Sequence, residues 1–206
     1  MYGLRPAHAW REGAAEVPCE AVLDLVWPAP RYLSGYADAL RRGWSPDNLR
    51  PERASEDLAR IETDPATFLA QQVDRHGKGP PITLPDGSTV PRLPGFVLWL
   101  WDDEFCGSIG FRWQSGTTEL PPYCLGHVGY SVVPWKRRRG YATRALHLLL
   151  PYARAEGLAH IDLTTTVDNV ASQRVIEANG GILVGRFQPP PAYHREEGIK
   201  FRIVLA

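Results

Sequence analysis

The chain has 206 residues, of which 44% are hydrophobic, and its 23 Lys+Arg balance its 23 Asp+Glu to give zero net charge. This composition suffices for the core of one domain with an N-terminal elaboration, and the lack of a basic excess argues against a general binder of nucleic acid or anionic membranes. Three cysteines without a C-x-x-C pair, no run of about 18 apolar residues and no apolar signal sequence in residues 1–18 predict a cytoplasmic protein without a zinc site or membrane span.

The N-terminal part, residues 1–95, is predicted to hold one strand, two or three helices and a small hairpin. Residues 1–19 have no regular pattern, and prolines end the first strand. The hairpin lies in a Gly- and Pro-rich insertion, residues 77–94, which is either a lid near a substrate or a surface loop without a role in function. The predicted elements are a strand Glu20–Trp27, a helix Tyr32–Arg42 and a helical run Pro51–His76 that Asp64-Pro65 interrupts.

The remaining residues, 96–206, alternate apolar strands with two helical patterns. The first three strands follow one another through short turns, which predicts an antiparallel meander. Pro151 lies inside the first helix, and Gly157 is placed to end it. The strands are Phe96–Trp101, Phe105–Trp113, Leu125–Val133, His160–Val167, Ile182–Phe187 and Ile199–Leu205, and the helices are Tyr141–Glu156 and Val170–Ala178.

A basic turn separates the third meander strand from the first of these helices. Three consecutive arginines, Arg137–Arg139, and Gly140 stand between the apolar run ending at Val133 and the helix. Such a turn exposes backbone N–H groups and a helix N-terminus, which together favour an anion such as a diphosphate. Neither G-x-x-x-x-G-K-(S/T) nor G-x-G-x-x-G is present, so the turn is not a Walker or dinucleotide loop. An arginine-rich surface turn is the alternative.

Three segments resemble the GNAT N-acetyltransferase superfamily. Arg137-x-x-Gly140-x-Ala142 matches its (Gln/Arg)-x-x-Gly-x-(Gly/Ala) motif. Residues 129–134 resemble the strand before that motif, and residues 168–181 resemble the family's Asn-x-x-Ser…Glu-x-x-Gly segment. The resemblance, which covers roughly residues 96–205, implies an α/β (α+β) fold. This fold has a mixed, mostly antiparallel sheet of about six or seven strands flanked by helices and splayed at a cofactor cleft. Residues 1–206 would be one domain with its cofactor-binding core in residues 96–206.

The resemblance also implies that acetyl-coenzyme A binds along this path. Val132 and Val133 would offer backbone groups to the pantetheine arm and the acetyl carbonyl, with an N–H near Val133 stabilising the oxyanion. Asn169 would hydrogen-bond the pantetheine, and Ser172 would lie beside it. The alternative for Asn169 is a plain helix N-cap. No metal is implied. The diphosphate would be held chiefly by backbone N–H groups of Arg137, Arg138, Arg139, Gly140, Tyr141, Ala142 and Thr143.

The residues chosen first for proton transfer are His127 and Tyr130. His127 stands where many relatives carry a glutamate, and it shares a strand face with Ser131 and Val133, so it is a candidate general base. A structural histidine is the alternative. The tyrosine acid that many relatives carry seven residues after the Asn is replaced here by Ile176. The acid is therefore open among Tyr130, Tyr152, Tyr193 and a water molecule.

The predicted reaction is acetyl transfer from acetyl-coenzyme A to an amine by direct attack in a ternary complex. The acceptor is a small molecule, an amino acid or a protein N-terminus, and a homodimer is a candidate assembly. A coenzyme-A-binding sensor or scaffold without catalysis is the alternative, and a nucleic-acid binder fits zero net charge poorly. The acceptor pocket could use tryptophans, which could equally pack in the core, or acidic residues, which could equally be solvated. They are Trp99, Trp101, Trp113, Glu104, Glu119, Glu196 and Glu197.

Overall fold

A computed structural model describes residues 23–193 and 197–205. The interpretation of residues 1–19 as irregular, the first residues of the predicted strand, Glu20–Val22, and the acidic candidate Glu196 lie outside this part. The helices are α1 (Pro30–Arg41), α2 (Arg53–Thr63), α3 (Pro65–Ala70), α4 (Tyr141–Ala155) and α5 (Val170–Glu177). The strands are β1 (Asp24–Val26), β2 (Val73–Asp74), β3 (Ile82–Thr83), β4 (Thr89–Val90), β5 (Gly95–Trp101), β6 (Phe105–Arg112), β7 (Val128–Val132), β8 (His160–Thr166), β9 (Ile182–Phe187) and β10 (Gly198–Val204).

The first sheet is the predicted antiparallel meander with β1 added at one side. Its order is β1-β5-β6-β7, and the short β2 also pairs with β5. β5 is apolar along its whole length because side chains on both of its faces are covered. Phe96, Leu98 and Leu100 enter one core, whereas Trp99 enters the other. This alternation is what the side-chain period of a strand requires.

Two hydrophobic cores therefore lie on opposite faces of the first sheet. One is formed with α4, which contributes Leu146 and Leu149, and with Ile176 of α5. The other is formed with α1 and α3, through Tyr36 and Phe68. The core interpretation of the tryptophans is confirmed for two of them, since Trp99 is 0% and Trp113 is 6% exposed.

The second sheet has the order β8-β10-β9, with both pairs antiparallel. The two sheets carry seven main strands between them, and the break between the sheets falls between β7 and β8. The predicted fold class, a mostly antiparallel α/β arrangement flanked by helices and divided at this point, is confirmed.

Element bounds differ from the predictions mainly before β5. The helical run predicted to reach His76 ends as α3 at Ala70, and Val73–Asp74 instead pair with Phe96 and Gly95 as β2. Asp64 caps α3 by accepting the Thr67 N–H at 3.0 Å, with Pro65 following in the first turn. α4 continues through Pro151, and Gly157 follows it with φ 79°, as expected of a helix-ending glycine.

Each helix in the described ranges is too short or too polar to cross a lipid bilayer.

Candidate functional site

The site lies where the two sheets separate. At the start of β7, the backbone N–H of His127 donates to the Asp162 carbonyl of β8 at 2.8 Å, and the N–H of Asp162 donates to His127 Nδ1 at 2.9 Å. Beyond this junction β7 and β8 belong to different sheets. A gap with free strand edges therefore opens toward the C-terminal ends of both strands.

His127 has a structural role at this junction. Its side chain is 1% exposed, and burial lowers its pKa to about 4 against the opposing effect of Asp162. Because Nδ1 accepts the Asp162 N–H, the proton of the neutral ring is assigned to Nε2, which is buried without a recorded partner among the described residues. A ring with no free lone pair and no access to a substrate does not support the predicted general-base role, so the structural alternative for His127 is preferred.

The free edge of β7 carries polar backbone groups that have only side-chain partners. The Tyr130 carbonyl accepts from Asn48 Nδ2 at 3.3 Å, and the Val132 carbonyl accepts from Arg137 Nε at 3.1 Å. The N–H of Val133, in contrast, donates to the Cys106 carbonyl in β6 at 3.0 Å. The Val132 carbonyl thus faces the gap, whereas the Val133 N–H is already used inside the sheet and is not free for an oxyanion.

Tyr130 reaches across the gap. Its hydroxyl donates to the Ser172 carbonyl at 3.4 Å, a long hydrogen bond that links β7 to α5. Burial raises the pKa of Tyr130, and the contact with Ser172 only partly opposes this. The phenol therefore stays protonated at neutral pH and can act as a proton donor.

The basic turn has the shape of an anion site. Arg138 (φ 62°) and Gly140 (φ 76°) are both left-handed, and α4 begins directly after Gly140 without a side-chain cap. No backbone partner is recorded for the amides of residues 138–143 within the described chain. A β-carbon placed on Gly140 would meet nothing within 4 Å, so open space lies over the turn. Unpaired amides at a helix N-terminus, flanked by exposed arginines, fit a diphosphate group.

A buried carboxylate holds this turn in place, which the sequence did not predict. Asp102, 6% exposed in the turn between β5 and β6, accepts from Lys136 Nζ at 2.7 and 3.0 Å and from the Tyr141 hydroxyl. Burial alone would raise the pKa of Asp102, but hydrogen bonds from Cys106, Lys136 and Tyr141 outweigh it and lower that pKa. Lys136 is 7% exposed, so it is not part of a basic surface cluster with the arginines.

The start of α5 is capped as predicted. Asn169 Oδ1 accepts the Ser172 N–H at 3.1 Å, which leaves the Asn169 amide nitrogen for another partner. At the other end of α5, Asn179 Nδ2 donates to the Thr143 carbonyl in the first turn of α4 at 3.1 Å and to the Val175 carbonyl at 2.8 Å. Asn179 therefore fixes α5 against the helix that begins the basic turn, a link that no sequence motif indicated.

A central cavity of about 460 Å³ extends from the gap between the sheets. Of the predicted site residues, Tyr130, Asn169 and Ser172 line it, as does the alternative acid Tyr193, whereas Val132, Val133 and the basic turn lie outside its lining. The hairpin contributes Ile82, Thr83, Leu84 and Pro85, a position that favours the lid interpretation over a surface loop without a role. Other lining residues that the sequence did not single out are Asp47, Asn48, Arg50, Arg53, Asp57, Gly110, Arg112 and Gly129.

Of the acidic residues predicted to attract an amine, the three that the structure describes, Glu104, Glu119 and Glu197, do not line this cavity. Glu104 pairs with Lys136 at 2.6 Å, Glu197 pairs with Arg186 at 2.6 Å, and Glu119 lies 4.0 Å from His160. Asp47, by contrast, lines the cavity, and no ion pair is recorded for it among the described residues. Its Oδ1 accepts the backbone N–H groups of Leu49 and Arg50 at 2.8 and 3.2 Å. Within residues 23–193 and 197–205, no three His, Cys, Asp or Glu side chains are grouped to hold a metal ion.

One family model matches more than half of the chain. Residues 48–182 match the family model described as an acetyltransferase (GNAT) domain. No curated protein sequence gives a significant match.

Solved structures with little sequence identity share the fold. One is the microcin C7 self-immunity acetyltransferase MccE in complex with acetyl-CoA and AMP, with 13% identity over 88% of this chain and 92% of that one and a TM-score of 0.58. Another is an acetyltransferase from Salmonella typhimurium that modifies the N-terminal serine of a 50S ribosomal subunit protein, with 13% identity over 92% and 99% of the chains and a TM-score of 0.56. A GNAT-family acetyltransferase from Bordetella pertussis has 14% identity over 87% and 94% and a TM-score of 0.51.

Proposed function

Because the chain belongs to the GNAT acetyltransferase family, we propose that it transfers an acetyl group from acetyl-coenzyme A to an amine by direct attack in a ternary complex. The observation that carries this proposal is the set of unpaired amides at residues 138–143, beside the gap between β7 and β8. A helix N-terminus and three exposed arginines next to a split sheet suit a diphosphate whose attached chain enters the split.

The residues that would hold acetyl-coenzyme A follow from this geometry. The amides from Arg138 to Thr143, with the side chains of Arg137–Arg139, would bind the diphosphate. Asn169 has a free amide nitrogen beside Ser172, and these two would contact the pantetheine. Arg137 now donates to the Val132 carbonyl, so its side chain would move aside to free that carbonyl for the pantetheine. When bound, acetyl-coenzyme A supplies a thioester carbonyl that an amine nitrogen attacks, with release of the thiol.

Proton transfer is assigned to the groups that face the cavity. Tyr130 is protonated at neutral pH and lies at the gap, so we assign it as the donor to the leaving thiolate. Asp47 lines the same cavity with one carboxylate oxygen, Oδ2, outside its hydrogen bonds to the backbone, and it suits the binding and deprotonation of an ammonium group. His127 has no part in this scheme.

The acceptor amine, the assembly and the location are also proposals. The cavity of about 460 Å³ suits a small molecule or the first residues of a peptide. We propose a homodimer and a cytoplasmic protein; the two cysteines in the described residues, Cys106 and Cys124, are free thiols, which supports a reducing compartment.

A thiol-release assay with a panel of primary amines, amino acids and peptides tests the proposal. Acetyl transfer predicts thiol release that depends on an amine, with the acetylated product identified by mass spectrometry. A non-catalytic sensor would bind coenzyme A in calorimetry and release no thiol with any amine.

Gly140→Val should abolish coenzyme A binding, because a side chain would enter the space over the turn and the left-handed backbone (φ 76°) disfavours a β-branched residue. Gly157→Val is the matched control: Gly157 has nearly the same φ, 79°, and its β-carbon would also meet nothing within 4 Å, but it lies beyond the far end of α4. Calorimetry should find binding lost in the first variant and kept in the second. Equal affinity in both variants would remove the turn from the binding site.

A further inference from the structure

Arg112 is one of the residues that line the central cavity. It ends β6, and its side chain extends over two glycines that face each other across β6 and β7, Gly110 and Gly129. A β-carbon placed on Gly129 would be 3.1 Å from Arg112 Nη2, and one on Gly110 would be 3.9 Å from the same atom. Because neither glycine has a side chain, the guanidinium can lie directly against the two strands.

Arg112 differs from the other cations of the cavity because they have carboxylate partners. Arg50 pairs with Glu52 and Glu56 at 3.1 and 2.5 Å, and Arg53 pairs with Asp57 at 2.9 Å. No ion pair or side-chain hydrogen bond is recorded for Arg112 within the described residues. The described residues therefore leave its guanidinium available to a ligand.

Arg112 has charged neighbours, but none of them is recorded as its ion-pair partner among the described residues. It lines a second, adjoining cavity of about 300 Å³ as well, together with Asp47 and Tyr193. Burial raises the pKa of Tyr193 and Arg112 opposes this, in line with a positive charge at this position. Asp47 directs Oδ1 to the backbone of Leu49 and Arg50, and no ion pair within 4 Å joins it to Arg112.

We propose that Arg112 binds an anionic group of the acceptor, so that the acceptor is an amine carrying a carboxylate or phosphate several bonds from the reacting nitrogen. This inference rests on the proposed function, in which Asp47 binds the amine at the same cavity. Asp47 and Arg112 both line this cavity, and no ion pair between them is recorded in the described residues. An acceptor that contacts both side chains therefore carries its anion at the other end of a short chain from its amine.

The test compares acceptors that differ only in charge. 6-Aminohexanoate, its uncharged amide and 6-aminohexyl phosphate are assayed for kcat/KM by thiol release. Wild type should prefer at least one anionic acceptor over the amide by about 10- to 100-fold, the size expected for a charge-assisted hydrogen-bonded pair. The stronger of the two anionic acceptors identifies the group as carboxylate or phosphate.

Two substitutions at Arg112 and one control connect the preference to this residue. Arg112→Gln should reduce the ratio of kcat/KM for the anionic acceptor to kcat/KM for the amide toward one. Arg112→Lys should keep part of this ratio because the positive charge remains. Arg154→Gln, at an exposed position on α4, should keep the wild-type ratio. A wild-type ratio near one, or a ratio that Arg112→Gln leaves unchanged, would overturn the proposal.

A binding measurement separates this inference from the acetyltransferase proposal. Calorimetry with hexanoate and with hexyl phosphate, on protein saturated with coenzyme A, needs no turnover. Weaker binding by Arg112→Gln than by Arg154→Gln would support the anion site even if no amine were acetylated. Equal binding by both variants would refute the anion site even in an active acetyltransferase.

Discussion

At the scale of single residues, burial decides what a titratable group can do. His127, Asp102 and Lys136 all have side chains suited to catalysis or anion binding, yet each is at most 7% exposed and is used to hold the backbone or another side chain. The groups left for chemistry are partly exposed: Tyr130 at the gap, and Asp47 and Arg112 at the cavity. Residue type and strand position alone did not separate these two sets.

The burial of His127 predicts a pH-dependent stability. Its folded pKa is about 4 against an ordinary value of 6.5, so between these values the unfolded chain binds a proton that the folded chain does not. The contribution of neutral His127 to the free energy of unfolding is complete above pH 6.5. It decreases as the pH falls toward 4, by up to about 3 kcal/mol. His127→Asn, which keeps an acceptor near the Nδ1 position, should remove this part of the slope.

Thermal unfolding from pH 7.5 to pH 4.5 measures the effect, with His147→Asn as the control because His147 is an exposed histidine on α4. The control should follow the wild-type slope. If His127→Asn follows it too, His127 does not titrate differently in the folded protein.

At the scale of elements, the basic turn is positioned from two sides. The turn between β5 and β6 provides Asp102 beneath Lys136 and Tyr141, and the end of α5 provides Asn179 to the first turn of α4. A loop rich in arginine would not by itself keep its amides directed to one point. Its like charges repel one another, and an unrestrained backbone adopts many conformations. These contacts from neighbouring elements are what make it a defined site.

Asp102→Asn should therefore both destabilise the protein and weaken coenzyme A binding. It would leave the buried Lys136 ammonium with the exposed Glu104 as its one recorded carboxylate partner, at a cost of about 3 kcal/mol. Glu104→Gln is the matched control, since Glu104 pairs with the same lysine at 2.6 Å but has a side chain that is 62% exposed. The control should cost less than about 1 kcal/mol.

Urea unfolding and coenzyme A calorimetry on the same preparations measure both effects. If the two variants lose similar stability, the buried pair does not hold the turn.

At the scale of the whole molecule, the sheets leave one apolar edge. β9 is the outer strand of the second sheet as described, and its residues Ile182, Leu183 and Val184 are 62%, 60% and 51% exposed. Consecutive residues of a strand point to opposite faces, so both faces of this edge are apolar. An uncovered edge of this kind favours pairing with another strand, and a second copy offers a self-complementary one.

The proposed homodimer should therefore depend on β9. Light scattering over a concentration series should give a dimer for wild type and a monomer for Leu183→Lys. Val204→Lys is the control, because Val204 is 63% exposed but lies on the central strand β10. A wild-type monomer at every concentration, or equal loss of the dimer in both variants, would refute an interface at β9.

The sequence by itself determined the fold class, the meander and the strand–turn–helix at Val133–Tyr141. These depend on local periodicity and on a short motif, which contacts distant in the chain do not change. The cap at Asn169 and the glycine that ends α4 were predicted for the same reason.

Only the tertiary structure decided which side chains face a cavity and which are buried. Three contacts at the site join residues 34 to 36 positions apart: His127–Asp162, Lys136–Asp102 and Asn179–Thr143. No local sequence pattern predicts contacts at this separation. The short strand β2 formed for a similar reason, since pairing with β5 overrode the helical spacing of its residues. Strand register and sheet separation set those distances, so the use of each polar side chain became clear only when both partners were in place.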